Sequence, residues 1–210
     1  MLQNCPSKTS DTLSLRVGGH IWGQAAEDVS EMIPASMHRS LYDAILMADC
    51  IWDTLSHNSL LKSVQELLVK PQGSGTLPRL ILVSGLHTGR STIVAFLRRA
   101  YRMGLRLVPF SLRKGSWPSL SSDEEHIRQT RLLALQDDQL LVDAITHIVE
   151  MELTPYPDQS ENTCFVSDQR RLTGHRRVFV PDERAEERRE NEGVHLRNRW
   201  MTFMTLSWSD

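Results

Sequence analysis

The sequence predicts an α/β protein built on a Rossmann-like, doubly wound sheet, and three observations carry that expectation. Between Leu13 and Leu112, short apolar runs alternate with segments whose apolar residues recur at helical spacing. The connections between them are short, as successive strand–helix–strand units require. Two of the runs, Tyr42-Asp-Ala-Ile-Leu-Met47 and Arg79-Leu-Ile-Leu-Val-Ser84, are apolar almost throughout, the pattern of strands covered on both faces.

Taken in order, Leu13–Val17 is the first expected strand, followed by a Gly18-Gly19 break and the aromatic turn His20-Ile-Trp-Gly23. Tyr42–Met47 is the second. An amphipathic helix follows over Ser56–Val69, where Leu60, Leu61, Val64, Leu67 and Leu68 share a face and Ser56 or Asn58 can cap the start. Pro71 and Gly73-Ser-Gly75 end it. Residues 80–84 form the third strand and Ser91–Arg102 the next helix, which turns Ile93, Val94, Phe96, Leu97 and Ala100 inward. Gly104 stops that helix. Leu105-Arg-Leu-Val-Pro-Phe110 is a fourth strand, with Pro109 marking an edge or a bulge.

From Arg113 to about residue 198 the chain is more polar. One helical region is expected over Glu124–Glu152, broken at Asp137-Asp138, with Thr154–Gly174 as loop. Glu183–Glu192 alternates acids and bases, as a solvated helix face does. Arg199–Trp208 closes the chain as a long strand. The reading is one domain over residues 1–210 with a polar insertion at about 113–198.

Composition narrows the function. Lys and Arg number 24 against 26 Asp and Glu, a formal charge of −2, which argues against a nucleic-acid partner. No apolar run approaches the roughly 18–20 residues needed to cross a bilayer, so no membrane role is expected. Residues 1–12 lack an apolar signal core, and Cys5, Cys50 and Cys164 form no CxxC pair. A reducing, cytoplasmic setting is therefore expected, with neither a disulfide framework nor a metal site.

Gly85-Leu-His-Thr-Gly89-Arg-Ser-Thr92 sits where a phosphate-binding loop would, between strand and helix. Only three residues separate its glycines and Arg90 replaces the lysine, so a tight strand-to-helix turn is the better reading. The eight histidines fall in no metal-ligand spacing. His57, at a helix start, reads as a capping or surface group, and no GxSxG elbow places a serine nucleophile. Ala48-Asp49-Cys50-Ile51-Trp52-Asp53 lies just past a strand's carboxyl end, where open α/β sheets bind ligands. Asp49 there either receives a ligand amine or hydroxyl or caps the next element; Trp52 could wall a pocket.

Taken together, Val17-Gly-Gly-His-Ile-Trp-Gly23, Tyr42–Trp52, His57 with Leu60-Leu-Lys-Ser63, Gly85–Arg90 and Arg199–Trp208 resemble the fungal nicotinamide N-methyltransferase-like group. That group sits among the protein-lysine methyltransferase-like, seven-strand S-adenosylmethionine enzymes. The resemblance implies a cofactor cleft for S-adenosyl-L-methionine at the strand ends, a reversed last strand beside Leu105–Leu112, and a small amine or a protein lysine as methyl acceptor. It also implies that Trp22-Gly23 lies beside the adenine, that Ala48 and Asp49 border the methionine end, and that Trp52 helps to wall the acceptor. Such chemistry needs alignment of a neutral amine with an already activated sulfonium more than acid–base catalysis.

The sequence departs from the group in two respects. Neither an E-x-G-x-G loop, which would hold the methionine carboxylate, nor a second strand ending in an acid for the ribose hydroxyls precedes the matched positions. The chain therefore reads as a carboxyl-terminal portion of such a domain, its amino-terminal strands missing, either a shortened methyltransferase or a non-catalytic remnant that serves interactions. Weak binding of S-adenosyl-L-methionine is expected, as is self-association through an exposed sheet edge at Tyr42–Met47.

Overall fold

A computed structural model describes residues 18–24, 42–71, 77–109, 119–154, 171–181 and 197–209. In chain order they form β1 (Ala44–Ala48), α1 (His57–Leu67), β2 (Arg79–Gly85), α2 (Arg90–Arg102) and β3 (Leu105–Val108), then α3 (Ser122–Ala134), α4 (Gln139–His147), β4 (Val149–Leu153), β5 (Leu172–Val178) and β6 (Trp200–Trp208). The result is a Rossmann-like α/β architecture with a mixed sheet of six strands.

β1 and β2 pair in parallel, Met47 opposite Leu82, joined by α1 as crossover. β6 runs antiparallel to β2, with Val83 opposite Phe203. Along its other side β6 pairs with two short strands in succession: Leu105–Val108 against Trp208–Thr205, then Val149–Glu152 against Phe203–Trp200. β3 and β4 are thus collinear halves of one interrupted strand, and the chain between them makes an excursion that carries α3 and α4. β5 closes that side antiparallel to β4. The reversed last strand is present as expected. Its direction is free because a long connection, unlike a tight crossover, imposes none.

The helices exist because their apolar stripes have a sheet to cover. Leu60, Leu61 and Val64 of α1 and Ile93, Phe96 and Leu97 of α2 are buried against Met47, Leu80, Leu82, Met204 and Leu206. Leu140, Leu141 and Ala144 of α4 extend the same core. Each such fully buried side chain contributes about 1.5–3 kcal/mol of apolar transfer. α3 buries none of its residues. It is defined instead by its cap, Ser121 Oγ accepting from Glu124 N at 3.2 Å, and by the acids of its first turn.

Several expectations are corrected. Tyr42–Met47 is not covered on both faces: β1 starts at Ala44, lies at the end of the sheet among the described residues, and leaves Leu46 68% exposed. Glu124–Glu152 is two helices followed by a strand, because Val149-Glu-Met-Glu-Leu153 alternates with period two and pairs on both sides. Leu172–Gly174 belongs to β5 rather than to a loop. The polar insertion is therefore not an appendage, since it supplies two strands of the sheet. Ser56 stands at the start of α1, but its hydroxyl donates to Asp53 O at 2.8 Å and makes no cap bond; Asn58 lies within the helix. Leu13–Val17, most of Thr154–Gly174 and Glu183–Glu192 lie outside the described residues.

Candidate functional site

The carboxyl ends of β1, β2 and β4 meet the start of β6 around a cleft of about 470 Å³. Ala48, Val83, Leu153 and Met201 give it apolar walls, Trp200 an aromatic one, and Asp49, His87 and Asn198 its polar groups. The volume falls in the range of small-molecule sites.

Asp49 is the residue at which β1 leaves the sheet. Its N–H still donates to Val83 O at 2.7 Å, while its backbone takes the left-handed conformation at φ 51°. That conformation costs an L-residue about 1–2 kcal/mol and is tolerated best by Asn and Asp. The carboxylate offsets part of this by accepting from Gly85 N at 3.1 Å across the strand ends. Gly85 can be nothing larger without rearrangement. A Cβ there would lie 2.8 Å from His87 Nδ1 and 3.7 Å from Asp49 Oδ1, so both polar groups close on the same point. The Asp49 carboxylate therefore joins the ends of β1 and β2 rather than capping the next helix, and it lines the cleft.

Behind the cleft stands a buried ionic network. Arg90 donates Nε–H and Nη2–H to the two Glu150 carboxylate oxygens at 2.7 and 2.8 Å, and Arg177 Nε donates to Glu150 at 2.6 Å. The Arg177 guanidinium lies 3.9 Å over the Trp200 ring, a cation–π contact. Arg90, which stands where a phosphate loop has its lysine, thus anchors the strand-to-helix turn to β4, confirming the turn reading. Glu152 follows on the same strand face. Burial raises its carboxyl pKa, but hydrogen bonds from Thr173 and His175 and the Arg199 charge bring it below the ordinary value. Neither glutamate was singled out by the sequence reading; the alternation of Val149–Leu153 was the signal.

His57 is neither the capping nor the surface group expected from its place at a helix start. It is fully buried, donating from Nε2 to Ile51 O at 2.7 Å and accepting on Nδ1 from Arg99 at 2.7 Å, with Phe96 edge-on at 5.3 Å. Burial first, and then the Arg99 charge, lower its pKa and keep it neutral. It ties α1 to α2 and neither caps nor faces solvent.

Of the site residues expected from sequence, Ala48 and Asp49 line the cleft. Trp22, Gly23 and Trp52 do not. Trp22-Gly23 forms a turn docked on α1, where Gly23 N donates to Ser63 Oγ at 2.8 Å and His20 Nε2 meets the same hydroxyl at 2.9 Å. Gly23 adopts φ +83°, and a Cβ there would meet Ser59 Cβ at 3.1 Å. Trp22 is 45% and Trp52 56% exposed. Among the described residues no cluster of three potential metal ligands occurs, and no helix is long and apolar enough to cross a membrane.

No protein-family model matches the chain, and no solved structure matches it. Two curated proteins do, over a limited stretch. The protein N-terminal and lysine N-methyltransferase efm7 of Emericella nidulans is 29% identical over 69 residues, 33% of this chain and 27% of that protein. The Yarrowia lipolytica protein of the same name is 33% identical over 63 residues, 30% of this chain and 22% of that protein. The match spans about a quarter of those relatives' length, and at that reach the chain is related to methyltransferases.

Proposed function

We propose that this chain transfers a methyl group from S-adenosyl-L-methionine to a protein amine, a lysine or an amino terminus, within the nicotinamide N-methyltransferase-like, protein-lysine methyltransferase-like group. The observation that carries the reading is the cleft at the carboxyl ends of β1 and β2, in a chain similar to two N-terminal and lysine methyltransferases. In open α/β sheets that position is where small ligands bind.

The residues fit one part of such a cofactor. The cleft volume, with Asp49, His87 and Asn198 as polar groups against the apolar Ala48, Val83 and Met201, suits the sulfonium end and an approaching amine. When bound, S-adenosyl-L-methionine supplies an activated methyl on a cationic sulfur. Asp49 Oδ1 would place negative charge on the side of the cleft such a cation enters, and can accept a hydrogen bond from an acceptor amine, orienting its lone pair. Trp200, Val83 and Met201 give the line of transfer apolar walls. Trp200 is held in place by Arg177 and Glu150.

A second reading, an interaction protein that keeps the fold without the chemistry, is favoured by one observation: the sequence contains no E-x-G-x-G loop for the methionine carboxylate. The two readings separate in a transfer assay with radiolabelled S-adenosyl-L-methionine at millimolar concentration and a peptide carrying free lysine and amino-terminal groups. Label reaching the peptide, and lost in Asp49→Ala, supports the enzyme. No transfer at any concentration supports the interaction protein.

A further inference from the structure

At the amino end of β4, one strand length (roughly 15 Å) from the cleft just described, a second cavity of about 360 Å³ opens between α3, α4 and β5. Its floor is apolar, made by Leu120, Ile145 and Ile148, and its rim carries Arg128, Arg176 and the Ser119 hydroxyl. The arginines are unequally served. Arg128 gives Nε–H and Nη2–H to Glu125 at 2.9 and 2.7 Å, saturating the acid that lines the cavity. Gln129 adds a third donor to the same carboxylate at 3.2 Å. Arg176, half buried, is left with a fully buried Nε–H that meets no acceptor among the described residues. Its nearest charges are Arg128, which repels it, and the already engaged Glu125. The remaining wall groups are committed elsewhere: Thr146 Oγ1 donates to Val142 O, and Arg177 is held by Glu150. A buried guanidinium N–H without an acceptor is costly, and a bound acceptor offsets that cost.

We propose that this cavity is an oxyanion site, taking a phosphate group on the Arg176 fork, with Arg128 and Ser119 as further donors. The planar guanidinium presents paired donors that match two oxygens of a tetrahedral oxyanion. The apolar floor accommodates whatever carries the group. The site is independent of the methyltransferase reading, so neither stands or falls with the other.

The test is titration of the full chain with inorganic phosphate and, separately, with O-phosphoserine, following arginine Nε–H resonances at constant ionic strength. Saturable movement of the Arg176 resonance is expected, with at least tenfold weaker binding in Arg176→Gln and weaker binding in Arg128→Gln. Arg98→Gln, an exposed arginine on α2, should leave binding unchanged. Equal affinity for the two probes identifies free phosphate as ligand; tighter phosphoserine binding identifies a phosphoryl group on a larger molecule. Arg176→Lys keeps the charge but loses the fork, and should bind between wild type and Arg176→Gln, which covers the case in which the glutamine variant does not fold. Linear, unsaturable shifts, or binding indifferent to Arg176 and Arg128, would overturn the proposal.

Discussion

Replacing Glu150 by Gln tests the buried network that supports the candidate site. The carboxylate is 0% exposed and receives three hydrogen bonds, two from Arg90 and one from Arg177, whose side chains are 2% and 7% exposed. The amide keeps the shape but removes the charge that both guanidiniums share, and turns two of the acceptor positions into one acceptor and one donor. Breaking a buried ionic pair from one side costs about 3–5 kcal/mol, a large share of the roughly 5–15 kcal/mol by which a domain is stable. At about 2–4 °C per kcal/mol for a chain of this size, the melting temperature should fall by roughly 10 °C. The assay is urea denaturation followed by tryptophan fluorescence, with a thermal melt by circular dichroism alongside. Glu125→Gln is the control, because its partner Arg128 is about a third exposed and solvent screens the pair; it should hardly move the midpoint. A loss below about 1 kcal/mol in Glu150→Gln would refute the argument that this network holds β4, β5 and the Arg90 turn together.

Two further outcomes follow from the same contacts. His57 and His147 both have pKa values lowered chiefly by burial. The unfolded chain therefore binds protons first as pH falls, so their contribution to stability is complete above about pH 6.5 and is lost progressively below it. Melting temperatures between pH 7.5 and 5 should show this slope, and His57→Gln should flatten it; an unchanged slope would place the titration elsewhere. Gly85→Ala forces the His87 ring aside, since the new methyl would lie 2.8 Å from Nδ1. The cost in stability should be about 1 kcal/mol, because a side chain rather than backbone yields, whereas methyl transfer should fall by an order of magnitude or more; parallel denaturation and transfer assays check both.

The elements with unbroken apolar patterns were readable from sequence: β2, α1, α2 and β6 appear within a residue or two of expectation, because each must bury a continuous stripe. The second half was harder for a physical reason. Glu150 and Glu152 occupy inward positions of a buried strand, so polarity there signals a charge network and not solvent, and a pattern rule that equates polar with exposed reads through it. β3 and β4 were hidden as one strand because 40 residues interrupt them in sequence while a single residue, Met204, separates their registers on β6. The position of Ala48 and Asp49 at the cleft was legible because they follow directly on the apolar run that forms β1, and strand ends open onto such clefts. Trp22 and Gly23 rested on resemblance, Trp52 on its place past a strand end as well, and the contacts that hold the Trp22-Gly23 turn, to Ser59 and Ser63, are long-range and carry no local sequence signal.

The proposal that the Ala48–Asp49 and Gly85–His87 cleft supports methyl transfer is tested by transfer and cofactor binding measured together. Purified chain is given radiolabelled S-adenosyl-L-methionine from micromolar to millimolar concentration with the amine-bearing peptide, and transfer is followed alongside calorimetric titration of the cofactor. Without the E-x-G-x-G loop, several hydrogen bonds at roughly 1 kcal/mol each are lost, so half-saturation is expected near millimolar rather than micromolar concentration. Transfer at that level, abolished by Asp49→Ala while Trp52→Ala leaves it measurable, is the expected result. No label on the peptide at any cofactor concentration, from a chain shown to be folded by circular dichroism, would contradict it.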